Sequence, residues 1–244
     1  MYFHSSRRVN GKWKGEIHSA ITNEKGSWIR EGKVQVGDLS KGDNQFLQTP
    51  RLIDFGRASR LYYARKSDTK KFFIEMATTN DGLTFKKVTS VSMDFKMDFP
   101  DLCLISQNNF LRMFFSSRKC IFSATSQDGI HWFRENGVRF ERGKPGMKAL
   151  VNNPFVVRLE CGRYRMYFRG TDNNAYHSCI FSAISNNGKD FVLEEGQRIN
   201  FLGKYEKHGV GFPNVINNGG YWKMYYTGYW GRHLLEPYTI NKWK

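Results

Sequence analysis

The side chains best suited to chemistry stand beside five copies of one short string. The string is Met or Leu, two aromatics, any residue, then a small or polar one, and it begins at Met1, Leu61, Met113, Met166 and Met224. At or next to its end stand His4, Arg65, Ser116, Arg169 and Thr227, and Tyr229 and Trp230 follow the last copy. Lys207 and His208 precede a glycine-flanked proline segment at Pro213, and Gln48, Asp98 and Asn152 each stand two residues before a proline. The result is a set of two arginines, two histidines, two amides and one acid. Arginine offers a planar fork that fits a carboxylate or phosphate. Histidine can exchange a proton near neutrality, and an aromatic pair can stack on a sugar face or a base. Arg169 has an equally good structural role as a brace to Asp172, and His4 could simply end a strand.

These positions acquire meaning from the elements that carry them. The aromatic strings start 60, 52, 53 and 58 residues apart. Each of the first four is followed by a second string, HSAITNEKGSW from His18, EMATTNDGLTF from Glu75, FSATSQDGIHW from Phe122 and FSAISNNGKDF from Phe181. An Asp-Gly or Asn-Gly pair between strand-like runs supplies the positive φ of a tight hairpin. Ahead of four aromatic strings lies a short apolar run led by a proline, at Pro50, Pro100, Pro154 and Pro213. Proline at the first residue of a strand sacrifices no ladder bond. One unit is therefore four strands: a proline-led inner strand, an aromatic strand, an Ala-x-Ser strand and an outer strand opening on Trp or Phe.

Four strands repeated about every fifty residues predict an all-β, five-bladed β-propeller in one domain over residues 1–244; a β-sandwich is the architectural alternative. The first blade starts on its aromatic strand and so lacks the proline-led one, and the last is short. Antiparallel order brings the ends of the aromatic strands to the starts of the proline-led strands, which gathers the polar set at one mouth. Trp28 and Trp132 recur at one repeat position and read as packing between blades. The irregular termini would allow strand exchange in a homodimer.

Composition narrows the function classes. The chain has 244 residues, 16% of them aromatic, and a net charge of +16 spread through all repeats. Such a surface suits nucleic acid, an anionic membrane face or a small anionic ligand, and a generally basic surface is the plain reading. No run of 18 apolar residues and no secretory leader is visible, so a cytoplasmic protein without a membrane partner is expected. Cys103, Cys120, Cys161 and Cys179 lack zinc spacing and read as reduced, buried thiols. Glycine-rich phosphate loops, HExxH and GxSxG are absent, and no cofactor or metal is expected.

The turn from Ser126 to Trp132 and the segment from Pro213 to Gly228 (Pro-x-Val, then Met-Tyr-Tyr-x-Gly) resemble the five-bladed propeller glycosidases. That superfamily includes arabinanase/xylosidase-type and invertase-type enzymes and mannoside phosphorylases, and the resemblance covers nearly the whole chain. It implies acids just before the inner strands, around a central funnel. Transferred residue by residue, it meets Gln48, Asp98, Asn152 and Gly211, of which only Asp98 is acidic. Glycoside hydrolysis normally uses two carboxyls. The resemblance therefore implies Asp98 as general acid or base, with Glu206 and His208 as further catalytic candidates and Asp172 and Asp101 as substitutes by position. His4, Arg65, Asn152, Arg169 and Tyr229 are the expected substrate-binding residues. The leading expectation is a glycosidase-like propeller for a small anionic glycoside, with degenerate acids. A non-hydrolytic biosynthetic enzyme using the His/Arg-lined funnel is the second reading, and a basic module for nucleic acid or an acidic partner is the third.

Overall fold

A computed structural model describes residues 1–9, 11–23, 27–37, 46–56, 58–66, 72–97, 100–107, 109–117, 119–143, 150–171, 177–200, 206–217 and 219–229. Among them the chain is built of strands and turns with no helix. The first blade is β1 (Tyr2–Val9), β2 (Lys12–Thr22) and β3 (Trp28–Lys33), followed by the short β4 (Gln35–Val36). The second is β5 (Phe46–Phe55), β6 (Ala58–Lys66), β7 (Phe72–Thr79) and β8 (Thr84–Ser90), followed by β9 (Ser92–Met93). The third is β10 (Cys103–Gln107), β11 (Phe110–Ser117), β12 (Cys120–Ser126) and β13 (His131–Arg134), followed by β14 (Phe140–Glu141). The fourth is β15 (Val151–Arg158), β16 (Tyr164–Thr171), β17 (Ser178–Ser185) and β18 (Val192–Leu193), and the fifth shows β19 (Val210–Asn217) and β20 (Trp222–Gly228). In the second, fourth and fifth blades the proline-led run is an inner strand antiparallel to an aromatic strand: β5 with β6, β15 with β16 and β19 with β20.

Two compact units are present. One comprises Met1–Phe95, Ser106–Arg112 and Thr125–Phe133, and the other Lys96–Ile105, Met113–Ala124 and Arg134–Lys244. Within the first, the core is Ile17, Val34, Val36, Leu47, Leu61, Tyr63, Ala77 and Phe85. Within the second, one cluster centres on Phe114, Met166, Phe168 and Phe181, and another on Tyr167, Ile180, Val210 and Met224. The middle strands are buried on both faces; β11 is buried from Leu111 to Ser116. That explains why their sequences read as continuous apolar runs rather than as an alternating pattern.

Successive blades are joined by a recurring device. After its outer strand the chain adds a short parallel strand to the outer edge of the next blade: β4 on β8, and β9 on β13. At the inner end, the third strand of one blade bridges in parallel to the inner strand of the next, Gly15 to Phe46 and Ser178 to Gly209. Both contacts need glycine. A Cβ on Gly15 would lie 2.5 Å from the Leu47 carbonyl oxygen, and one on Gly209 would lie 2.5 Å from the Ser178 nitrogen.

The recurring Trp/Phe is packing, as its repeat position suggests. Tyr2 meets Phe85 edge-on at 5.6 Å, Tyr62 meets Trp132 at 6.1 Å, and Phe114 meets Phe191 at 6.0 Å. The first two tyrosines also donate their hydroxyls to the turn glycines of the following blade, at Gly82 and Gly129. The cysteines are all free thiols. Cys103 and Cys179 are buried as expected, but Cys120 is half-buried and Cys161 is exposed on the β15–β16 hairpin, a correction to the reading of four buried thiols.

Candidate functional site

The residue before proline is where the blades become irregular. Steric contact with the proline ring normally holds such a residue in extended conformation. Here Thr49, Asn153 and Phe212 instead have φ of 51°, 51° and 49°. The ladder slips at the same places, between Gln48 and Arg51, Asn152 and Phe155, and Gly211 and Asn214. Left-handed, non-glycine backbone of this kind costs about 1–3 kcal/mol per residue and persists where surrounding structure imposes it. Three equivalent strained bulges therefore mark the start of the inner strands. Asp98 and Phe99, which would supply the third-blade equivalent, lie outside the described residues.

Register identifies the side chains beside each bulge. Gln48 pairs with Ala64, Asn152 with Arg169 and Gly211 with Thr227. Ala64, not Arg65, thus occupies the Arg169 position, and Arg65 points to the other face of its strand. There its Nε donates to Glu75 Oε1 at 2.8 Å, while Tyr63 donates its hydroxyl to Glu75 Oε2 at 2.8 Å. Glu75 is buried, so Arg65 is spent in neutralising an internal carboxylate. In the same unit the Thr49 amide points at His4 Nδ1 at 3.5 Å, which makes that nitrogen an acceptor. Desolvation, with the Arg51 charge nearby, lowers the His4 pKa and favours the neutral ring.

The second unit holds a denser arrangement. Asp101 is buried and accepts four hydrogen bonds: from the Ser116 amide at 3.3 Å and hydroxyl at 2.8 Å, and from the Asn153 amide at 2.7 Å and Nδ2 at 3.0 Å. Burial raises its pKa to about 6 despite these bonds, each of which favours the charged form. Asp101 therefore clamps the strained Asn153 of the neighbouring blade. The Arg169 guanidinium lies over the Tyr229 ring, 4.7 Å from its centroid, and the Tyr229 hydroxyl fills the space where a Gly211 side chain would be. Four buried polar atoms here have no hydrogen-bond partner: Asn152 Oδ1, Asn153 Oδ1, Arg169 Nε and the Tyr229 hydroxyl. Buried polar groups are nearly always bonded, so the concentration of these atoms, unpartnered among the described residues, at one end of two blades makes it the candidate site.

Glu206 is buried beside it and accepts from the Tyr226 hydroxyl at 2.9 Å. Burial and that bond raise the tyrosine pKa to about 12. His208 is exposed, and its backbone amide donates to the Tyr229 carbonyl at 2.8 Å. Of the residues singled out in sequence, Asn152, Arg169 and Tyr229 share this cluster, His4 and Arg65 lie in the other unit, and Asp98, Asp172 and Trp230 fall outside the described residues. Asn153 and Gly211's close fit were not foreseen as binding elements; the signal available was the position directly before each strand-leading proline. Among the described residues no three His, Cys, Asp or Glu come together as metal ligands. An open cavity of about 340 Å³ lies at the other end of these strands, lined by Leu159, Glu160, Cys161, Asn217, Gly220 and Trp222. It contains none of the clustered polar atoms.

No family model matches the sequence, and no curated protein matches it. Solved structures do. One is from a study of the glycoside hydrolase family 130 mannoside phosphorylases, describing members that target β-1,2-mannosidic linkages; it superposes with TM-score 0.70 at 13% identity over 92% of this chain and 76% of its own. A glycosyl hydrolase from Bacteroides ovatus gives TM-score 0.70 at 14% identity, covering 92% of this chain and 76% of its own. A thermostable family-43 glycoside hydrolase gives 0.62 at 12% identity, covering 93% and 84%. Strand order, repeat and superposition agree: the chain has the fold of the five-bladed β-propeller glycosidases.

Proposed function

We propose that the protein is a carbohydrate-active, glycosidase-like propeller that takes a small anionic glycoside at the bulged end of β15 and β19. The observation that carries this reading is the unpartnered polar cluster of Asn152, Asn153, Arg169 and Tyr229. Arg169 has no carboxylate partner among the described residues, so its charge is free to meet a phosphate or carboxylate of the ligand. The net charge of +16 would draw such a ligand in. The structural neighbours are named for work on glycosides, including β-1,2-mannosides.

In this reading Asp98 is the proton donor or acceptor, with Glu206 and His208 as assisting groups, and Arg65, engaged by Glu75, takes no part. Asp101 holds Asn153 in place instead of exchanging protons with a ligand, because all four of its hydrogen bonds are internal. The engagement of both Asp101 and Glu206 by neighbours favours a second reading, a non-hydrolytic step that relies on cations in place of a carboxyl pair.

The test is turnover of β-1,2-mannobiose and aryl glycosides, with and without inorganic phosphate, and binding of mannose 1-phosphate by calorimetry. The expected result is micromolar to millimolar binding of the phosphorylated sugar that falls at least tenfold in Arg169→Gln, and activity lost in Asp98→Asn with the fold retained. Unchanged turnover in Asp98→Asn sinks the catalytic assignment. Equal binding by Arg169→Gln sinks the anionic one.

A further inference from the structure

Resting on that reading of the site, we infer that Asn153 and Tyr229 form a recognition pair for a hydroxyl-bearing part of the ligand, oriented by Asp101. The inference starts from the direction of one amide. An asparagine side chain can ordinarily be turned either way. At Asn153 the choice is settled, because Nδ2 lies 3.0 Å from Asp101 Oδ2, an acceptor that already takes the Asn153 backbone N–H at 2.7 Å. Only the NH2 end can face that carboxylate, so Oδ1 is the outward atom and is an acceptor. It is buried in a residue 6% exposed and has no partner among the described residues.

Tyr229 presents the complementary case. Its residue is also 6% exposed, its hydroxyl is unpartnered, and the hydroxyl feels the charges of both Arg169 and Asp101. Its place depends on two neighbours: Arg169 covers the ring, and Gly211, having no side chain, leaves the space that the hydroxyl occupies, since a Cβ there would stand 2.5 Å from the oxygen. The backbone supports this precision. Asn153 is held at φ 51° before Pro154, a conformation that Asp101 secures from the adjacent blade. An acceptor-only carbonyl and a hydroxyl that both gives and takes suit an O–H donor, and a polyol or pyranose offers several. A bare carboxylate, which carries acceptors alone at neutral pH, would leave Asn153 Oδ1 unsatisfied. The pair therefore reads the neutral, hydroxylated face of the ligand, while Arg169 is left to read charge.

The two variants that test it differ in what they remove. Tyr229→Phe deletes a hydroxyl that makes no bond in the free protein, so its melting temperature is expected to stay level or rise. Asn153→Gly keeps the left-handed backbone and its N–H to Asp101 while deleting the amide. Wild type and both variants are titrated with methyl β-mannoside, mannose 1-phosphate, glycerol and myo-inositol. The expected result is a roughly tenfold to hundredfold loss of affinity for the hydroxylated probes in each variant. Acetate, which has no hydroxyl, should bind Tyr229→Phe as it binds wild type.

Unchanged affinity in both variants overturns the pair, as does a melting temperature lowered by several degrees in Tyr229→Phe, which would mean the hydroxyl is a structural group. If wild type binds glycerol or inositol but neither mannoside, the glycoside reading fails while the pair stands. If it binds none of the four, both fall.

Discussion

The two ends of a blade handle polar atoms in opposite ways. At the hairpin turns between third and outer strands of three blades, two short polar side chains close local bonds. Ser126 accepts the Gly129 amide, and Asp128 accepts those of Ile130 and His131. Thr79 and Asp81, and Ser185 and Asn187, repeat the pattern in the neighbouring blades. The proline-led end leaves Thr49, Asn152 and Asn153 with an orphaned oxygen each among the described residues. It also bends the backbone into its left-handed region. The turns are where the repeat is most faithful, and they serve stability. The bulges keep a common backbone but vary the side chain, from Thr to Asn to Phe, and variation on a fixed scaffold is how a fold acquires a particular ligand.

That contrast can be broken most forcefully from the turn side. Trp132 is 1% exposed, packs on Tyr62 and donates its indole N–H to Gly129. Trp132→Ala should cost about 3–5 kcal/mol and lower the denaturation midpoint accordingly. A loss under about 1 kcal/mol in chemical denaturation would show that the recurrent aromatic is not what joins the blades.

The carboxylates sharpen the comparison through pH. Asp81, at a turn, has its pKa lowered to about 2 by the Thr84 and Leu83 amides, so its contribution is present at neutrality and is lost only as pH falls through that value. Asp101 has its pKa raised to about 6 by burial, so the sign reverses. The native state then holds the proton more tightly than the unfolded chain. Stability linked to Asp101 is fully present below the unfolded value near 4 and is lost as pH rises through about 6. Between those two values the swing is about 3 kcal/mol. Urea melts at pH 4.5 and 7.5 should show about 2 kcal/mol of this swing in wild type and its disappearance in Asp101→Asn. An identical pH dependence in the two proteins would refute the assignment.

Much of this fold was legible because its defining signals are local. Asp-Gly turns, strand-leading prolines and the Met-aromatic-aromatic string each act within a few residues, and their spacing alone sets four strands per blade. The site was legible only in part. Asn152, Arg169 and Tyr229 could be placed by reading strand ends against strand starts. Arg65 was displaced by one residue because periodicity by eye does not fix register, and one residue turns a side chain to the opposite face. Asp101 looked like a spare catalytic acid, since sequence does not reveal that Ser116 and Asn153 converge on it from separate strands. The positive φ of Asn153 was hidden for a related reason. The rule for a residue before proline predicts extended backbone, and tertiary contacts override it here.

The gentlest test asks whether strain at the bulges belongs to the scaffold or to the site. Thr49 is β-branched, at φ 51°, with an unpartnered hydroxyl, and it stands where Asn153 stands in the fourth blade. It lacks the clamp that Asn153 has, because its neighbour is His4 Nδ1 at the long distance of 3.5 Å and not a carboxylate. Glycine tolerates this φ without penalty but adds entropy to the unfolded chain. If the bulge is a scaffold feature of every blade, Thr49→Gly relieves strain and removes an unsatisfied hydroxyl. Thermal denaturation should then show a gain of up to about 1 kcal/mol. Asn153→Gly should show no such gain, since it also forfeits the Nδ2 bond to Asp101. Equal gains at the two positions would mean that the clamp contributes nothing and that the bulges are interchangeable. A gain at Thr49 alone ties the cost of the fourth-blade bulge to the four hydrogen bonds that hold it.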